Sequence, residues 1–163
     1  MPPPPPDLLI RRAERHDAAL LGELGIALMR THYAFDERRF LAPTQADAAG
    51  YAQFLQSQLS DDDSIVMIAE HRGDIVGYVY AAVEPLSWKD LRGECGFIHD
   101  LLVTDAARGQ GAGKGLLDGA IRWLQQRGMP RVVLGTAAQN ERARRLFERR
   151  GFRPTMIEMT LEL

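Results

Sequence analysis

The sequence FIHDLLVTDAARGQGAGKGLLDGAIRWL, residues 97–124, carries the strongest structural signal in the chain. It begins with an apolar run that contains β-branched residues, which predicts a buried strand. Beyond the glycines, apolar residues recur at three- and four-residue spacing, which predicts an amphipathic helix. A strand that runs through a glycine-rich turn into a helix is a typical anion site. The first N–H groups of the helix have no partner within it, and the helix dipole is positive at that end.

Two nucleotide-binding motifs can be tested against the glycine-rich turn. A Walker loop needs a glycine five residues before its Gly-Lys pair and a serine or threonine after the lysine, whereas this chain has Arg108 and Gly115 there. The dinucleotide fingerprint G-x-G-x-x-G would need a glycine where Lys114 stands. Both motifs are therefore excluded. A tight turn without a ligand is the remaining structural alternative, but the alternating glycines cost more chain entropy than such a turn requires.

Two stretches, RGQGAG at residues 108–113 and NERARRLFERRGF at residues 140–152, resemble the signatures of the GNAT superfamily of acetyl-CoA-dependent N-acetyltransferases. Residues 108–113, RGQGAG, follow the predicted strand and resemble the family's acetyl-CoA loop, (Arg or Gln)-x-x-Gly-x-(Gly or Ala). Residues 140–152, NERARRLFERRGF, resemble its second signature, in which an asparagine is followed by alanine, an aromatic residue and Gly-Phe. The resemblance is specific from about residue 97 to residue 152 and implies an enzyme that uses acetyl-CoA as co-substrate.

Composition limits the remaining classes. A chain of 163 residues fits one domain, and we predict a disordered Pro-rich leader over residues 1–7 and a single GNAT domain over 8–163. The formal charge of −2 does not indicate a nucleic-acid or membrane surface as the main partner. Cys95 is the single cysteine, which excludes an intrachain disulfide and a cysteine-rich metal site, and we expect no metal. Without a secretory signal or a membrane-spanning run, we predict a cytoplasmic protein.

The pattern of elements predicts a mixed α/β fold in the order β-α-α-β-β-β-α-β-α-β. The resemblance implies a mixed, V-shaped sheet flanked by helices, with acetyl-CoA in the split between the fourth strand (97–103) and the fifth (131–136). The final strand is predicted from the alternating residues 156–161. Homodimers are common in the family, and this strand could pair across such an interface.

The resemblance also implies which residues bind acetyl-CoA. The backbone of the fourth strand would pair with the pantetheine arm, and the loop N–H groups would bind the pyrophosphate. The expected contacts are Leu101, Leu102, Val103, Arg108, Gly109, Gln110, Gly111, Ala112, Gly113, Lys114 and Asn140. Asn140 could instead serve only as the N-cap of the last helix.

Acetyl transfer to an amine needs a group that removes a proton from the ammonium. Related enzymes often carry this base on the fourth strand, four residues before the position of Val103, which is His99 here. Histidine titrates near neutrality, as such a base requires; a buried, hydrogen-bonded strand histidine is the alternative. Strand alternation predicts His99 and Leu101 on one face and Asp100 on the other. Asp100 could orient His32, a loop residue or a cationic substrate.

Many family members carry a tyrosine in the last helix as general acid, whereas this chain has Phe147. Tyr33, Tyr78 and Tyr80 are candidate substitutes. The leading hypothesis is direct attack by a primary amine of a small molecule or protein in a ternary complex. A non-catalytic acyl-CoA-binding regulatory module is the alternative that Phe147 leaves open. Four acidic residues are expected near the site that binds the acceptor amine, and they favour a cationic small molecule as the acceptor. They are Asp36, Glu37, Glu84 and Asp100.

Overall fold

A computed structural model describes residues 7–163, which form one five-stranded sheet in the order β1-β2-β3-β4-β5. The strands are β1 Leu8–Arg12, β2 Ser64–His71, β3 Asp74–Glu84, β4 Cys95–Val103 and β5 Val132–Leu134. The helices are α1 Ala18–Phe35, α2 Gln45–Gln58, α3 Ala112–Gln126 and α4 Glu141–Arg149. The predicted disordered leader lies outside the described residues except for Asp7, whose carboxylate accepts a hydrogen bond from Arg72 at 3.1 Å.

Helices cover both faces of the sheet, so that the chain has two hydrophobic clusters. One cluster lies under α3 and α4 and includes Leu116, Leu124 and Phe147. The other lies under α1 and α2 and includes Leu21, Leu55 and Tyr78. The first four strands pair antiparallel, and β5 joins β4 in parallel. The predicted mixed α/β sheet flanked by helices is confirmed.

The sheet splits between β4 and β5. Along its other side β4 pairs with β3 from Cys95 to Val103. It pairs with β5 only at Gly96, Phe97 and Ile98. Beyond Ile98, the edge of β4 that faces β5 therefore has no strand partner in the described sheet, as the predicted V shape requires.

The predicted final strand at 156–161 is wrong. The described chain has no regular secondary structure after α4, from residue 152 to residue 163. From residue 156 onward the apolar side chains of this segment are 82–117% exposed; they are Met156, Ile157, Met159, Leu161 and Leu163. Alternation makes a segment competent to pair as a strand, but a strand forms only beside another strand's free edge. In the described structure the segment pairs with neither outer strand of the sheet.

Close packing of α1 on α2 explains two glycines that would otherwise weaken α1. A Cβ atom at Gly22 would lie 2.3 Å from the carbonyl oxygen of Ala48, and one at Gly25 would lie 2.0 Å from the ring of Tyr51. Real Cβ atoms do not approach other atoms this closely. The glycines therefore let α2 approach α1, and Gly25 leaves room for the ring of Tyr51, a residue of the site described below.

Asp17 precedes α1 and is linked to β1 by hydrogen bonds. Its contribution to the stability of the fold can be predicted from these contacts. Its side chain is 3% exposed and accepts hydrogen bonds from Arg11 at 2.9 and 3.1 Å and from the Glu14 N–H at 2.8 Å. The bonds from Arg11 hold the pKa of Asp17 below its ordinary value. We expect Asp17→Asn to lower the free energy of unfolding by about 2 kcal/mol near neutral pH, measured by urea denaturation.

The sign of the pH dependence follows from the lowered pKa. The carboxylate stabilises the fold fully above the pKa that it has in the unfolded chain, and this contribution is lost as the pH falls through the folded-state pKa. The difference between wild type and variant should therefore shrink as the pH falls from about 5 toward 2. Asp62→Asn, at an exposed position, is the control and should change stability by less than about 0.5 kcal/mol. An Asp17→Asn effect that is constant with pH would contradict the account.

Candidate functional site

The loop between β4 and α3 presents a run of free backbone donors. Gly109 and Gly111 are left-handed, with φ of 77° and 87°, and Gly111 caps α3. In the described chain, no N–H group from Gly109 to Lys114 donates to another backbone group, and Gly115 is the first to do so, to the Gly111 carbonyl at 2.9 Å. Successive free N–H groups at a helix N-terminus favour an anion such as a phosphate.

Charged side chains beside this loop are paired with acids. Lys114 donates to Asp118 at 2.5 Å, and Arg150, which follows α4, donates to the other oxygen of the same carboxylate at 2.6 Å. Burial alone would raise the pKa of Asp118, but the bonds from Lys114 and Arg150 hold it below its ordinary value. Arg108 pairs with Asp105. Sequence reasoning did not single out Arg150, because α4 carries several arginines and only the packing of α4 on α3 selects this one.

The other predicted cofactor contacts lie on β4 and α4. Leu101, Leu102 and Val103 follow Ile98 on β4, where the edge toward β5 is free. The carboxamide oxygen of Asn140 accepts a hydrogen bond from the Ala143 N–H at 3.1 Å and caps α4. Asn140 therefore is the N-cap of α4, as one of its two interpretations expected. A contact between Asn140 and a cofactor stays a prediction, as do the loop contacts.

A β-bulge interrupts β4 at His99. Tyr80 of β3 pairs with Asp100, but its neighbour Ala81 pairs with Ile98, so that His99 is the extra residue. An extra residue bends the strand locally and changes the direction of the side chains that follow it. Bulges of this kind are over-represented next to active sites.

The bulge brings His99 and Asp100 to the same side of the sheet. The His99 ring stacks on Tyr80 with centroids 5.0 Å apart, and Asp100 accepts a hydrogen bond from Tyr78 at 3.1 Å. Tyr78 and Tyr80 are two residues apart on β3 and share a face. The predicted placement of His99 and Asp100 on opposite faces is therefore wrong. Leu101, predicted beside His99, packs against the opposite cluster.

Asp100 is held by tyrosines from two different elements. Its Oδ2 atom accepts hydrogen bonds from Tyr51 of α2 and Tyr78 of β3. Burial raises the pKa of Asp100 above its ordinary value, although these two hydrogen bonds oppose the shift. No buried side-chain oxygen or nitrogen in the described chain lacks a partner. No hydrogen bond reaches Oδ1, and this atom is not among the fully buried ones, so it can accept a hydrogen bond from a ligand.

Among the alternatives weighed for Asp100, a hydrogen bond to His32 is not present in the described structure. The Nδ1 atom of His32 contacts the Leu28 carbonyl oxygen at 2.9 Å within α1. Asp100 instead orients Tyr51, whose position depends on the glycine at residue 25. Sequence reasoning missed Tyr51, and the signal that could have suggested it is the pair of glycines in α1, which implies a close helix neighbour.

His99 forms a pair with Glu84 at the solvent boundary. Its Nε2 atom lies 2.8 Å from a Glu84 carboxylate oxygen, and its ring is also stacked on Phe97 at 4.6 Å. The side chain is 32% exposed, so it is not a core histidine. In the tautomer that donates from Nε2 to Glu84, Nδ1 carries a lone pair and can accept a proton.

Phe147 is part of the core and has no proton to donate. It is 8% exposed and packs against Phe152 with ring centroids 5.9 Å apart. The hydroxyl groups of Tyr78 and Tyr80 bond to Asp100 and Gln58, both at 3.1 Å. Burial raises the pKa of Tyr78 and Tyr80, which makes them weaker acids. Neither is therefore a good substitute acid, and Tyr33 stays a candidate.

Two other properties of the described residues bear on function. No group of three His, Cys, Asp or Glu side chains within residues 7–163 could hold a metal ion. Among the helices described, none combines the length and the hydropathy that crossing a membrane would require.

Comparison with known proteins places this geometry in context. Residues 27–152 match the acetyltransferase (GNAT) family. The uncharacterised N-acetyltransferase YhfO of Bacillus subtilis is 30% identical over 145 residues, which cover 88% of each protein. A crystal structure of a tetramutant of the BH1408 protein from Bacillus halodurans has a TM-score of 0.82 at 21% identity, covering 95% of this chain and 99% of that one. The aminoglycoside N-acetyltransferase AAC(6′)-Iy, in complex with the bisubstrate analogue CoA-S-monomethyl-acetylneamine, has a TM-score of 0.73 at 18% identity, covering 96% and 97%.

Proposed function

Because the chain belongs to the acetyltransferase (GNAT) family, we propose that it transfers the acetyl group of acetyl-CoA to a primary amine of a small cationic molecule. The amine attacks the thioester directly in a ternary complex. The observation that carries this proposal is the bulge at His99, since it gives one face of the sheet two groups that can accept a proton or bind a cation, beside the free edge of β4.

The chain fits acetyl-CoA in two respects. The free N–H groups from Gly109 to Lys114 suit a pyrophosphate, because no backbone partner competes for them and they lie at the positive end of α3. The unpaired edge of β4 after Ile98 suits the amide groups of pantetheine, which can pair with it as a strand would. Acetyl-CoA, when bound, supplies the activated acyl group.

His99 and Asp100 have different roles in this proposal. Asp100 binds the incoming ammonium through Oδ1, since Tyr51 and Tyr78 occupy Oδ2. His99 accepts the proton at Nδ1, directly or through a water, and Glu84 at 2.8 Å from Nε2 stabilises the imidazolium that forms. Proton removal leaves a neutral amine that can attack. As the intermediate collapses, the attacking nitrogen loses its second proton and the departing thiolate takes up a proton through solvent. Because thiols ionise near pH 8.5, the thiolate needs no acid from the protein.

Negative charge where the acceptor amine is proposed to bind favours a cationic molecule over a neutral one. Glu84 and Asp100 lie on the same face, next to the His99 ring. Asp36, another predicted acid, accepts hydrogen bonds from the N–H groups of Arg38 and Arg39 at 3.0 and 3.2 Å and shapes its own loop. The name of AAC(6′)-Iy, an aminoglycoside N-acetyltransferase, is consistent with a polycationic acceptor.

A cytoplasmic location is part of the proposal, since acetyl-CoA is an intracellular metabolite and Cys95 is a free thiol.

A thiol-release assay tests the proposal. The purified protein is incubated with acetyl-CoA and polyamines, aminoglycosides, amino acids or a lysine-containing peptide, and free CoA is measured against a reaction without amine. We expect turnover with a polycation and a higher kcat/KM than for the peptide. Acetyl-CoA binding by calorimetry with no thiol release from any amine would instead favour the non-catalytic acyl-CoA-binding module.

A further inference from the structure

A small open cavity, called the α1 cavity below, lies between the second half of α1 and the loop that follows this helix. Its volume is about 240 Å³. For comparison, a cavity of about 150 Å³ lined by apolar side chains is large enough to bind benzene. The α1 cavity therefore has room for one aromatic ring or for a short alkyl chain. Most of the residues that line it are apolar; the lining consists of Leu28, Met29, His32, Arg39, Phe40 and Leu41.

The polar groups of the cavity wall are already paired within the protein. The Nδ1 atom of His32 lies 2.9 Å from the Leu28 carbonyl oxygen, and because a carbonyl oxygen only accepts, this nitrogen is the donor. The Cζ atom of Arg39 lies 4.9 Å from the centroid of the Phe40 ring, and its guanidinium donates to Glu158 at 3.0 Å. A ligand in the α1 cavity would therefore gain its affinity from apolar contact.

Part of the cavity wall does not contribute to the core. Met29 and Phe40 are half-buried, yet neither belongs to the two hydrophobic clusters of the described chain. Leu41, at the rim, is 78% exposed. A methionine side chain is flexible and adapts to ligands of different shape. Apolar side chains that surround a hollow without packing in the core indicate a ligand-binding groove.

The α1 cavity adjoins the face of the sheet that carries Asp100. Burial raises the pKa of Asp100, and His32 is one of the groups whose charge opposes this shift, so the two side chains are close. Tyr51, whose hydroxyl donates to Asp100, packs its ring against α1 at Gly25. Leu28 follows Gly25 by about 4.5 Å along the helix axis. The cavity therefore begins about one helical turn beyond the ring that holds Asp100.

We propose that the α1 cavity binds an alkyl or aryl group of the acceptor amine while Asp100 binds its ammonium. This inference rests on the proposed function, and it narrows the acceptor from any small cation to one that also carries an apolar group. Asp100 then selects the charge, and the cavity selects the substituent. An amine that has the charge without the apolar group is bound more weakly.

The first test measures kcat/KM for straight-chain primary amines from ethylamine to octylamine. These amines have nearly the same basicity, so the comparison isolates the apolar group. Burying one methylene improves affinity about threefold to fourfold, and kcat/KM should rise by about this factor per carbon once the chain reaches the cavity. We expect a gain of at least about 30-fold over the series, which corresponds to three buried methylenes. A kcat/KM that does not depend on chain length would overturn the inference.

A polar substitution in the cavity wall locates the effect. Met29→Gln keeps the length of the side chain but makes it polar, and it should lower the ratio of kcat/KM for hexylamine to that for ethylamine about tenfold. Leu20→Gln is the matched control, because Leu20 lies on the same helix, outside the cavity, and is 43% exposed. This control should leave the ratio unchanged. An unchanged ratio in Met29→Gln would refute the assignment of the cavity.

A binding measurement separates this inference from the proposed function. Protein labelled at its methionine methyl groups is titrated with hexylamine and followed by NMR, in the presence of CoA, which carries no acetyl group to transfer. The Met29 signal is identified by its loss in Met29→Gln. We expect this signal to shift to saturation with a Kd at least about 30-fold lower for hexylamine than for ethylamine.

The two ways of failing give different results. A saturable shift of the Met29 signal without thiol release from any amine would show that the cavity binds amines and that the proposed reaction is wrong. Thiol release from hexylamine without a shift of the Met29 signal would refute the cavity as the acceptor's apolar site and leave the proposed reaction intact.

Discussion

Replacing His99 with glutamine is expected to lower kcat/KM for the amine about 1000-fold near neutral pH, while the Kd for acetyl-CoA stays unchanged. Glutamine can still donate to Glu84, which lies 2.8 Å from the histidine ring in the wild type, but it cannot accept a proton. Without a base, the reaction depends on the small fraction of amine that is already neutral. The pH–rate profile should therefore shift to higher pH. Steady-state kinetics across pH and calorimetry with acetyl-CoA measure the two effects.

Two further variants show whether the effect belongs to His99. His71→Gln removes a histidine that lies at the end of β2 and should leave the profile unchanged. Asp100→Asn should raise KM for the amine more than it lowers kcat, because Asp100 binds the ammonium in this proposal and does not take its proton. A His99→Gln enzyme with an unshifted profile would remove His99 from the mechanism. Unchanged kcat, KM and pH–rate profile in both His99→Gln and Asp100→Asn would leave the bulge without a catalytic role.

Replacing Gly111 with valine is expected to raise the Kd for acetyl-CoA about 100-fold, measured by calorimetry. Gly111 caps α3 at φ 87°, a conformation that a β-branched residue adopts only with strain. The loop would then move to relieve the strain, and the N–H groups from Gly109 to Lys114 would no longer converge on one anion.

The matched control for Gly111 lies just beyond the other end of α3. Gly128 is also left-handed, with φ of 74°, so Gly128→Val carries a similar backbone penalty of about 1–2 kcal/mol. Both variants should therefore unfold at similar urea concentrations, but only Gly111→Val should lose affinity for acetyl-CoA. Equal affinity in the two variants would refute the assignment of residues 109–114 as the phosphate loop.

Local sequence patterns were sufficient for the elements around the loop. Hydrophobic spacing predicted α3, since its core-facing residues recur with the period of a helix, and an apolar run with β-branched residues predicted β4. The split between β4 and β5 was predicted only through the family resemblance, because the divergence of two strands depends on packing that no local pattern records. The same resemblance indicated that the loop binds the phosphates of acetyl-CoA. The glycine spacing alone had excluded two nucleotide-binding motifs but had not identified the ligand.

The arrangement of the site could not be predicted by strict alternation. One extra residue in β4 changes which face the later side chains take, and the assumption of a regular strand separated His99 from Asp100. The sequence does contain a trace of the bulge, because the polar pair His99-Asp100 is followed by the apolar pair Leu101-Leu102, and neither pair fits a period of two. Tyr51 is a different case: it meets Asp100 only because α2 packs on α1, a contact between distant parts of the chain.

The bulge also limits how far the stability of this sheet can be increased without loss of activity. Deleting one residue near His99 would restore regular pairing with β3, and by the usual rules of sheet stability the shortened strand would be the better one. It would also turn one of the two reactive side chains toward the opposite layer. Selection for stability and selection for turnover therefore act in opposite directions on the length of this single strand, and variants screened only for heat resistance would be expected to lose activity here first.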